Sequence, residues 1–593
     1  MITQRIEALR SAMRAKGLDA YIIPSGDPHQ SEYVADHWKA REWISGFSGS
    51  AGTVVITKDH AGLWTDSRYF LQAEQQLKNT SVELHKLVVP HTQEHLDWLK
   101  NNLPEGSTVG FDGWLFSADQ VRGLALAFAG KNIFLNSDHD LISEIWSPRP
   151  AKPSDSVFEL DTKYAGQERT QKIEIIKRAM EIKGADYYLV STLDDVAWLL
   201  NMRGNDVECN PLFIAYVVVN KEKTFLFIDE SKVDETLKTT LLQAGIFIKP
   251  YNSIESFLAN IPESSKILLD RASTSIRLYN KVPEQSRLDG SNLVEPLKTI
   301  KNQTEIENIR IAMEKDGVAL VRLFMWLEKE LAQRKISEVE VAEKLVEIHR
   351  AMGNYHGESF SAIVGYQSNG AIVHYHPMPD NCAMIENSGI LLLDCGAQYT
   401  EGTTDITRTI ALSAPHTQQK KDYTLVLKGN LAVSMARFPK GTNGVQIDAF
   451  ARQHLWRHNF NYGHGTGHGV GCFLCVHEGP QGFSPVVSGR SRLPVEPGML
   501  TSNEPGLYRA GEYGIRVENL VLCVKDEVNN FGEFYKFETV SLFPFDVNLI
   551  EAEMLDAEEK QWINHYHKEV KSRLAKYLNE EENSWLGRKC VNI

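Results

Sequence analysis

The hydrophobic positions near the start of the chain recur at helical spacing. Apolar side chains stand at Ile2, Ile6, Leu9 and Met13, with arginines between them. A stripe of this kind is typical of an amphipathic helix that packs on a domain core. It lacks the uninterrupted apolar stretch of a signal peptide, so we expect it to be the first helix of the fold.

Two segments in the first half of the chain share one pattern of turn, strand and aromatic positions. Residues 17–24 and 184–191 each follow a helical pattern and join a glycine turn to an apolar run. Downstream of each comes a tryptophan in a Trp-x₅-Gly pattern, at Trp43 and Trp198, and then an apolar run that ends in aspartate. Because a period this long indicates domain duplication, we predict two copies of one α/β module.

The pattern changes at two places, which divides the chain into three predicted domains. Residues 147–153 hold three prolines, as is typical of a linker. After about residue 300 a long helical pattern begins, and helices then alternate with strands rich in Val, Ile and Leu. We predict an N-terminal module at 1–153, a similar module at 154–300 and a larger domain at 301–593, in a mixed α/β (α+β) fold.

The composition excludes several classes of protein. Of the 593 residues, 42% are hydrophobic and 24% charged, which is ordinary for a folded globular protein and argues against disorder. Lys and Arg number 63 against 77 Asp and Glu, for a net charge of −14. The chain therefore lacks the basic surface that a nucleic-acid binder or a protein held on anionic lipid needs. No apolar run is long enough for a transmembrane helix.

The cysteine count favours a reducing compartment. Seven cysteines are few for this length, and an odd number argues against a disulfide framework, so we expect a cytoplasmic protein. Cys472 and Cys475 form a Cys-x-x-Cys pair, but a zinc ribbon would need a second such pair. Their setting reads as strand or loop, whereas a redox motif would open a helix, so redox chemistry is the less favoured alternative.

Two aspartates mark a predicted hairpin in the third domain. An apolar run ends in Asp394, the turn signal Glu401-Gly402 follows, and a Thr-rich strand then carries Asp405. A hairpin over this segment places the two carboxylates opposite or nearly opposite each other, on one face. Two like charges at such a short distance, beside apolar positions, are energetically unfavourable unless a cation lies between them. The alternative is that the aspartates lie at a solvated hairpin tip.

Histidines and further carboxylates follow in a glycine-rich context. Residues 462–471 contain five glycines together with His464 and His468, and His477 comes soon after. The glycine content opposes a helix, and the phosphate-binding motifs that glycine-rich loops form are absent. Glu504 stands before a Pro-Gly turn. Strand alternation puts Arg516 and Glu518 on one face of a strand. The alternative for that face is exposure to solvent rather than part of a site.

Together these positions supply four carboxylates and one imidazole. Oxygen-rich sites with few imidazoles suit Mn²⁺, Mg²⁺ or Ca²⁺ better than a structural zinc ion. Four carboxylates can hold two divalent cations, and such a pair can activate a water and polarise a carbonyl.

These residues, in this order, resemble those of the pita-bread metallopeptidases, a family that includes methionine aminopeptidase, prolidase and aminopeptidase P. The family pattern of Asp, Asp, His, Glu and Glu is matched by Asp394, Asp405, His468, Glu504 and Glu518. Residues 374–377, 465–471 and 476–480 are similar to the proline-specific branch, and the two N-terminal modules to its long, three-domain, cytosolic Xaa-Pro aminopeptidases. The resemblance covers essentially the whole chain.

The resemblance implies a pita-bread catalytic domain and a function. It implies an enzyme that releases the first residue of peptides whose second residue is proline, with two divalent ions held by the five matched residues. Mn²⁺ is favoured, with Zn²⁺ or Co²⁺ as alternatives. Glu504 would act as general acid and base, and His374 and His477 would hydrogen-bond the substrate and the tetrahedral intermediate.

Three further residues would take part in substrate binding. The resemblance implies that His464 lines the pocket for the penultimate proline, with loop packing as the alternative. Arg516 would orient or neutralise the acidic cluster. Arg68 would reach substrate in its own or a neighbouring subunit, or else pair with Asp66.

The resemblance also implies a homodimer that acts on peptides, without nucleic acid or membrane partners. One alternative is a prolidase that cuts only Xaa-Pro dipeptides. Another is an inactive pita-bread module that binds peptides, and the complete ligand set argues against it.

Overall fold

A computed structural model describes residues 1–88, 92–487 and 489–593 of the chain. The described residues form two compact units. The first comprises Met1–Thr162, Gln167–Glu208 and Leu212–Val294, and the second comprises Lys163–Gly166, Cys209–Pro211 and Glu295–Ile593.

The first unit begins with a module of one sheet and flanking helices. Its strands are β1 (Ala20–Ile23), β2 (Thr53–Thr57), β3 (Ala61–Thr65), β4 (Glu83–Lys86), β5 (Thr108–Gly110) and β6 (Phe134–Asn136). Its helices are α1 (Ile2–Ala15), α2 (Ala40–Ser45), α3 (Phe70–Gln76), α4 (Glu94–Asn102), α5 (Ala118–Phe128) and α6 (Leu141–Ile145). Helix α1 buries Ile6, Leu9 and Met13, so the predicted first helix is confirmed.

A second module follows along the chain. Its strands are β7 (Phe158–Glu159), β8 (Tyr187–Val190), β9 (Met202–Arg203), β10 (Ala215–Asn220), β11 (Thr224–Ile228), β12 (Ile246–Pro250), β13 (Ile267–Leu269) and β14 (Arg287–Asp289). The helices of this stretch are α7 (Thr162–Ala165), α8 (Arg169–Lys183), α9 (Leu193–Leu200), α10 (Glu235–Gln243), α11 (Ile254–Ala259) and α12 (Ile276–Lys281).

The two modules share one sheet topology. The strand order is β4-β3-β2-β1-β5-β6 in the first sheet and β12-β11-β10-β8-β13-β14 in the second. In each, the three strands of the central meander pair antiparallel and the outer strands are added in parallel. Gly17 and Gly184, which open the repeated pattern, both have the positive φ that ends a helix. The predicted duplication is confirmed.

The second unit combines long helices with several sheets. Its helices are α13 (Glu295–Thr299), α14 (Gln303–Leu331), α15 (Glu338–Ala351), α16 (Thr417–Ser434), α17 (Gly444–Trp456), α18 (Gly489–Arg492), α19 (Ala557–Leu574) and α20 (Glu580–Lys589). The strands before residue 412 are β15 (Ile336–Ser337), β16 (Tyr355–Glu358), β17 (Ile363–Tyr366), β18 (Met384–Ile385), β19 (Ile390–Cys395), β20 (Ala397–Tyr399), β21 (Gly402–Thr403) and β22 (Ile406–Ala411). The later strands are β23 (Arg437–Pro439), β24 (Gly467–Gly469), β25 (Glu478–Phe483), β26 (Leu500–Asn503), β27 (Gly506–Arg509), β28 (Tyr513–Arg516), β29 (Asn519–Asn529) and β30 (Gly532–Thr539).

Two sheets of this unit carry the predicted ligands. One has the order β17-β19-β22 and the other β23-β30-β29-β26-β24-β25. The long helical pattern predicted after residue 300 is α14, which begins with an Asn302–Glu305 capping box. Its apolar stripe joins the main core of the unit, where it packs with the apolar residues of α15, α16, α19 and strand β19.

The predicted hairpin at 389–409 is present, with a different register. Strands β20 and β21 pair Tyr399 with Gly402, so the two residues between them form the turn. The turn is therefore Thr400-Glu401, and Asp394 opposes Thr407 rather than Asp405. Asp405 is two residues from Thr407, and residues two apart point to the same face of a strand. The prediction that Asp394 and Asp405 share one face therefore holds.

Other sequence predictions concern the membrane and the cysteines. Within residues 1–88, 92–487 and 489–593, no helix combines the length and the apolarity that a membrane crossing requires. The seven cysteines, all of which lie in those ranges, are thiols, as expected.

Candidate metal centre

The five predicted ligands lie at or near strand ends of two sheets in the second unit. Asp394 is near the end of β19, and Asp405 directly precedes β22. His468 is the central residue of β24. Glu504 directly follows β26, and Glu518 directly precedes β29.

Backbone hydrogen bonds fix the two glutamates. The amide of Glu504 donates to the carbonyl of Thr466 at 2.8 Å, beside the strand that carries His468. The amide of Glu518 donates to the carbonyl of Thr407 at 3.1 Å, and Thr407 opposes Asp394. The two sheets therefore meet where the charged side chains are.

The structure brings most of the set within coordinating distance of one another. Possible ligand atoms of Asp405, His468 and Glu518 all lie within 4.8 Å of one another. His468 Nε2 lies 3.5 Å from Asp405 Oδ2 and 3.5 Å from Glu504 Oε1. Asp394 is linked to Glu518 through Arg516 and Thr407. Arg516 Nη2 donates to Asp394 Oδ2 at 2.5 Å, and Thr407 Oγ1 accepts from Arg516 and donates to Glu518.

Burial makes this collection of carboxylates electrostatically costly without a cation. Asp405 is 4% exposed and Glu518 is 1% exposed. Burial, reinforced by Glu518, raises the pKa of Asp405 well above its usual range. Burial, reinforced by Glu504, likewise raises the pKa of Glu518. Burial, opposed by Arg516, raises the pKa of Glu504 to about 7.

Two carboxylate oxygens in this cluster are buried without a hydrogen-bond donor in the part of the chain that the structure describes. Among the described residues, Asp394 Oδ1 and Glu518 Oε1 are buried without a partner. A buried carboxylate oxygen is stable only with a donor or a cation beside it, so these two atoms are available for coordination.

Arg516 is a structural part of the cluster. Its guanidinium also donates from Nε to Thr407 Oγ1 at 3.2 Å and from Nη1 to Tyr508 Oη at 2.8 Å. Arg516 is 2% exposed, so the alternative that it shares a solvent-exposed face with Glu518 is wrong. The prediction that Arg516 orients or neutralises the acidic cluster agrees with these contacts.

Three hydroxyl groups that the sequence did not single out hold the charged side chains. Thr407 Oγ1 donates to Glu518 Oε2 at 2.7 Å. Ser502 Oγ donates to Glu504 Oε1 at 3.1 Å and accepts from the amide of His468 at 2.9 Å. Tyr508 joins Arg516 to His464 Nε2, which lies 2.8 Å from the phenol oxygen. Hydroxyls in strands are common, so only their hydrogen-bond partners identify these three.

Hydrogen bonds from α17 hold the glycine-rich segment, residues 462–471, in place. Arg452, which is 1% exposed, donates to the carbonyl of Tyr462 at 2.8 Å and to that of His464 at 2.6 Å. Asp448 on the same helix accepts from Arg452 Nε at 2.7 Å and from Thr466 at 2.6 Å. This buried ion pair fixes a backbone that its glycines would otherwise leave flexible.

The three predicted substrate-binding histidines have different surroundings. The ring of His477 is 4.3 Å from that of His468, centroid to centroid. His464 is half-buried beside Tyr508 and Tyr462. His374 is half-buried in the turn after the 3₁₀ helix Gln367–Ala371. The roles predicted for these histidines stay predictions.

Arg68 belongs to the first unit and pairs locally. Its Nε and Nη2 donate to the two carboxylate oxygens of Asp66 at 2.8 and 2.7 Å. The alternative of an ion pair with Asp66 is therefore confirmed, and a contact with substrate stays a prediction.

Gly396 illustrates how closely the chain folds at the hairpin that carries both aspartates. A Cβ at Gly396 would lie 1.9 Å from the carbonyl oxygen of Thr404. Only glycine allows that approach, which sets the backbone between Asp394 and Asp405.

Family models match the chain from end to end. Residues 307–525 match "Metallopeptidase family M24", and residues 533–593 match the "C-terminal region of peptidase_M24". Residues 5–143 and 148–305 each match a "Creatinase/Prolidase N-terminal domain".

Curated relatives are similar over nearly their full length. A "Probable Xaa-Pro aminopeptidase P" of Laccaria bicolor is 40% identical over 603 residues, which cover 99% of this chain and 93% of the relative. "Xaa-Pro aminopeptidase 1" of Dictyostelium discoideum is 40% identical over 606 residues, which cover 99% of this chain and 96% of the relative.

A solved structure has the same fold throughout. The X-prolyl aminopeptidase of Caenorhabditis elegans, described as a cytosolic enzyme with a di-nuclear active site, is 32% identical with a TM-score of 0.96. The match covers 100% of both chains. The predicted fold class is confirmed: two similar N-terminal α/β modules precede a pita-bread domain.

Proposed function

The chain belongs to metallopeptidase family M24, and on that premise we propose that it is a Xaa-Pro aminopeptidase, which removes the first residue of peptides whose second residue is proline. The observation that carries the proposal is the full-length similarity to Xaa-Pro aminopeptidases together with the clustering of Asp405, His468 and Glu518. An inactive binding module would be expected to lose ligands, whereas all five matched residues are present.

The residues present fit a pair of divalent metal ions. Asp394, Asp405, His468, Glu504 and Glu518 would hold them. The fit rests on the carboxylate-rich donor set and on the two buried oxygens, Asp394 Oδ1 and Glu518 Oε1, that have no hydrogen-bond donor among the described residues. We favour Mn²⁺, with Zn²⁺ or Co²⁺ as alternatives, because one imidazole among four carboxylates suits a hard cation. When bound, such a pair lowers the pKa of a water and polarises the substrate carbonyl.

Glu504 is the group that would move protons. Burial raises its pKa to about 7 in the absence of metal, and a bound cation would favour the carboxylate that accepts a proton. The hydroxyl of Ser502 fixes one carboxylate oxygen. Glu504 would accept the proton of the attacking water and pass it to the prolyl nitrogen of the leaving peptide.

The histidines would bind the substrate around this acid and base. His477, whose ring is 4.3 Å from that of His468, would donate a hydrogen bond to the oxygen of the scissile carbonyl. His374 would take the same part from the turn after residues 367–371. Both roles need an imidazole N–H, which either the neutral or the charged ring supplies.

Proline specificity would rest on shape. The nitrogen of a penultimate proline carries no hydrogen, so the site cannot recognise it by accepting a hydrogen bond. His464 is fixed by Tyr508, and Tyr508 by Arg516, so the imidazole is a rigid surface for the proline ring. We propose that His464 lines this pocket.

Several finer predictions extend the proposal. The domain boundaries at 153/154 and 300/301 are proposed from the proline-rich linker and the helical pattern after residue 300, and a cytoplasmic location from the few cysteines. A homodimer is proposed from the family resemblance. Arg68 is proposed to contact substrate through Nη1, the guanidinium nitrogen outside the pair with Asp66.

A substrate-length series on one metal-analysed preparation tests the proposal. We expect hydrolysis of Xaa-Pro-Xaa tripeptides, sparing of Xaa-Pro dipeptides, and little cleavage of Xaa-Ala-Xaa. Glu504→Gln is the inactive control. Cleavage of dipeptides alone would identify a prolidase instead. Binding without cleavage by metal-loaded protein would identify a binding module.

A further inference from the structure

A second group of metal-ligating side chains lies in the first N-terminal module. His60 directly precedes β3, and Glu83 and His85 lie on β4, which is an edge strand of its sheet. Gly62 pairs with Glu83, and Trp64 pairs with His85. Side chains alternate along a strand, so His60 lies on the same face of the sheet as Gly62 and Trp64. Their partners Glu83 and His85 lie on that face too.

The three side chains lie close enough to share one ion. Their possible ligand atoms are all within 4.8 Å of one another. His60 Nε2 lies 3.2 Å from His85 Nε2, and His60 Nδ1 lies 3.7 Å from Glu83 Oε2. Zinc–nitrogen distances of about 2.0–2.1 Å in a tetrahedral site put two ligand nitrogens about 3.3 Å apart. The separation of the two Nε2 atoms therefore matches a shared tetrahedral ion. Glu83 lies beside the other nitrogen of His60, so its exposed carboxylate would turn toward the Nε2 atoms to reach the same ion.

Aromatic packing fixes the two imidazoles in this arrangement. His85 stacks on Trp64 with centroids 4.0 Å apart, and His60 lies 4.4 Å from the ring of Trp98. A Cβ on Gly62 would lie 2.6 Å from His60 Nε2 and 2.8 Å from His85 Cδ2. The absence of a side chain at Gly62 is what lets both rings lie over β3.

The surroundings also suit a metal ion chemically. Both imidazoles are half-buried, and a neutral imidazole offers one nitrogen lone pair as a ligand. Glu83 is mostly exposed and supplies a negative charge at the mouth of the group. Two imidazoles and one carboxylate are the protein ligands of many zinc sites that keep one position open.

We propose that His60, Glu83 and His85 form a binding site for a divalent transition-metal ion of the Zn²⁺, Ni²⁺ or Cu²⁺ class. Two imidazoles favour these ions over Mn²⁺ and Mg²⁺, which prefer oxygen ligands. The ion would bind in addition to those proposed for the five ligands of the M24 domain. It would link the edge strand β4 to β3.

The test uses full-length enzyme loaded with Mn²⁺, titrated with Zn²⁺ and then desalted for metal analysis. We expect the wild type to retain one Zn²⁺ per chain more than His60→Gln or His85→Gln. Changes to outer-shell partners cost about 10–100-fold in metal affinity, so loss of a direct ligand should weaken Zn²⁺ binding at least about 100-fold. His565→Gln, an exposed histidine of α19, is the matched control and should bind as the wild type does.

Gly62→Ala tests the geometry with every ligand retained. It should weaken Zn²⁺ binding because its methyl group would displace both imidazoles. Unchanged peptide hydrolysis and circular dichroism would show that each variant is folded. Equal Zn²⁺ content in the wild type and in both histidine variants would overturn the proposal, and the two imidazoles would then be a hydrogen-bonded pair only.

Discussion

Thr407 offers the sharpest test of how the metal ligands are positioned. Its hydroxyl donates to Glu518 Oε2 at 2.7 Å and accepts from Arg516 Nε at 3.2 Å. Thr407→Val keeps the shape of the side chain but removes both hydrogen bonds. Burial and neighbouring carboxylates already raise the pKa of Glu518, and the Thr407 hydroxyl opposes that rise. The variant should therefore hold the proton on Glu518 more tightly, in competition with metal.

The size of the effect follows from the contacts. A hydrogen bond to a charged group contributes about 1.5–3 kcal/mol. Removal of a partner that orients a metal ligand typically costs about 10–100-fold in metal affinity, which is about 1.4–2.8 kcal/mol. The two estimates agree, so we expect Thr407→Val to weaken metal binding by about 10–100-fold.

The assay is a competition between the enzyme and a chelator for Mn²⁺, with hydrolysis of a Xaa-Pro-Xaa peptide measured on the same samples. Thr407→Ser keeps the hydroxyl and is the matched control, which should bind metal nearly as the wild type does. Circular dichroism checks the fold of both variants. Wild-type affinity in Thr407→Val would refute the role of this hydroxyl.

Three further predictions follow from the same structure. Tyr508→Phe removes the hydroxyl between His464 and Arg516. Since a hydrogen bond to a charged group contributes about 1.5–3 kcal/mol, kcat/KM for Xaa-Pro-Xaa should fall about 10–100-fold while metal content is unchanged. Burial lowers the pKa of His349, but the neighbouring carboxylates outweigh burial and raise the pKa to about 9. The imidazolium therefore stabilises the fold fully below about pH 6.5, and this stabilisation is lost as the pH rises through about 9. The difference in melting temperature between the wild type and His349→Gln should narrow over that range. Glu504, with a pKa of about 7 before metal binds, should make Mn²⁺ affinity rise with pH through neutrality and release protons on binding; calorimetry that finds equal affinity at about pH 6 and about pH 8 would contradict it.

Much of the fold was predictable because its signals are local. The stripe of α1 and the helical pattern of α14 appear as amphipathic spacing, and both helices are present. The duplicated modules could be predicted because Gly17 and Gly184 occupy equivalent turns, each before the first buried strand of its sheet. The exact hairpin register could not be predicted because a turn shifted by one residue moves every partner by two, and Asp394 opposes Thr407.

The charged part of the site was predictable, whereas the neutral part was not. Asp394 and Asp405 are unusual beside apolar strands, so their chemistry is visible in the sequence. Thr407, Ser502 and Tyr508 are ordinary strand residues, and only the meeting of distant strands gives them their partners. Arg452 was missed for the same reason, because the acceptors through which it holds the loop are backbone carbonyls.

The central claim is that Asp405 holds metal for the cleavage of Xaa-Pro bonds. The direct test measures metal content and Xaa-Pro-Xaa hydrolysis on the same preparations of wild type and Asp405→Ala. We predict that the wild type carries two divalent ions per chain and cleaves the tripeptide, and that Asp405→Ala loses metal and activity together while remaining folded. Normal metal stoichiometry and retained hydrolysis in Asp405→Ala would contradict the account.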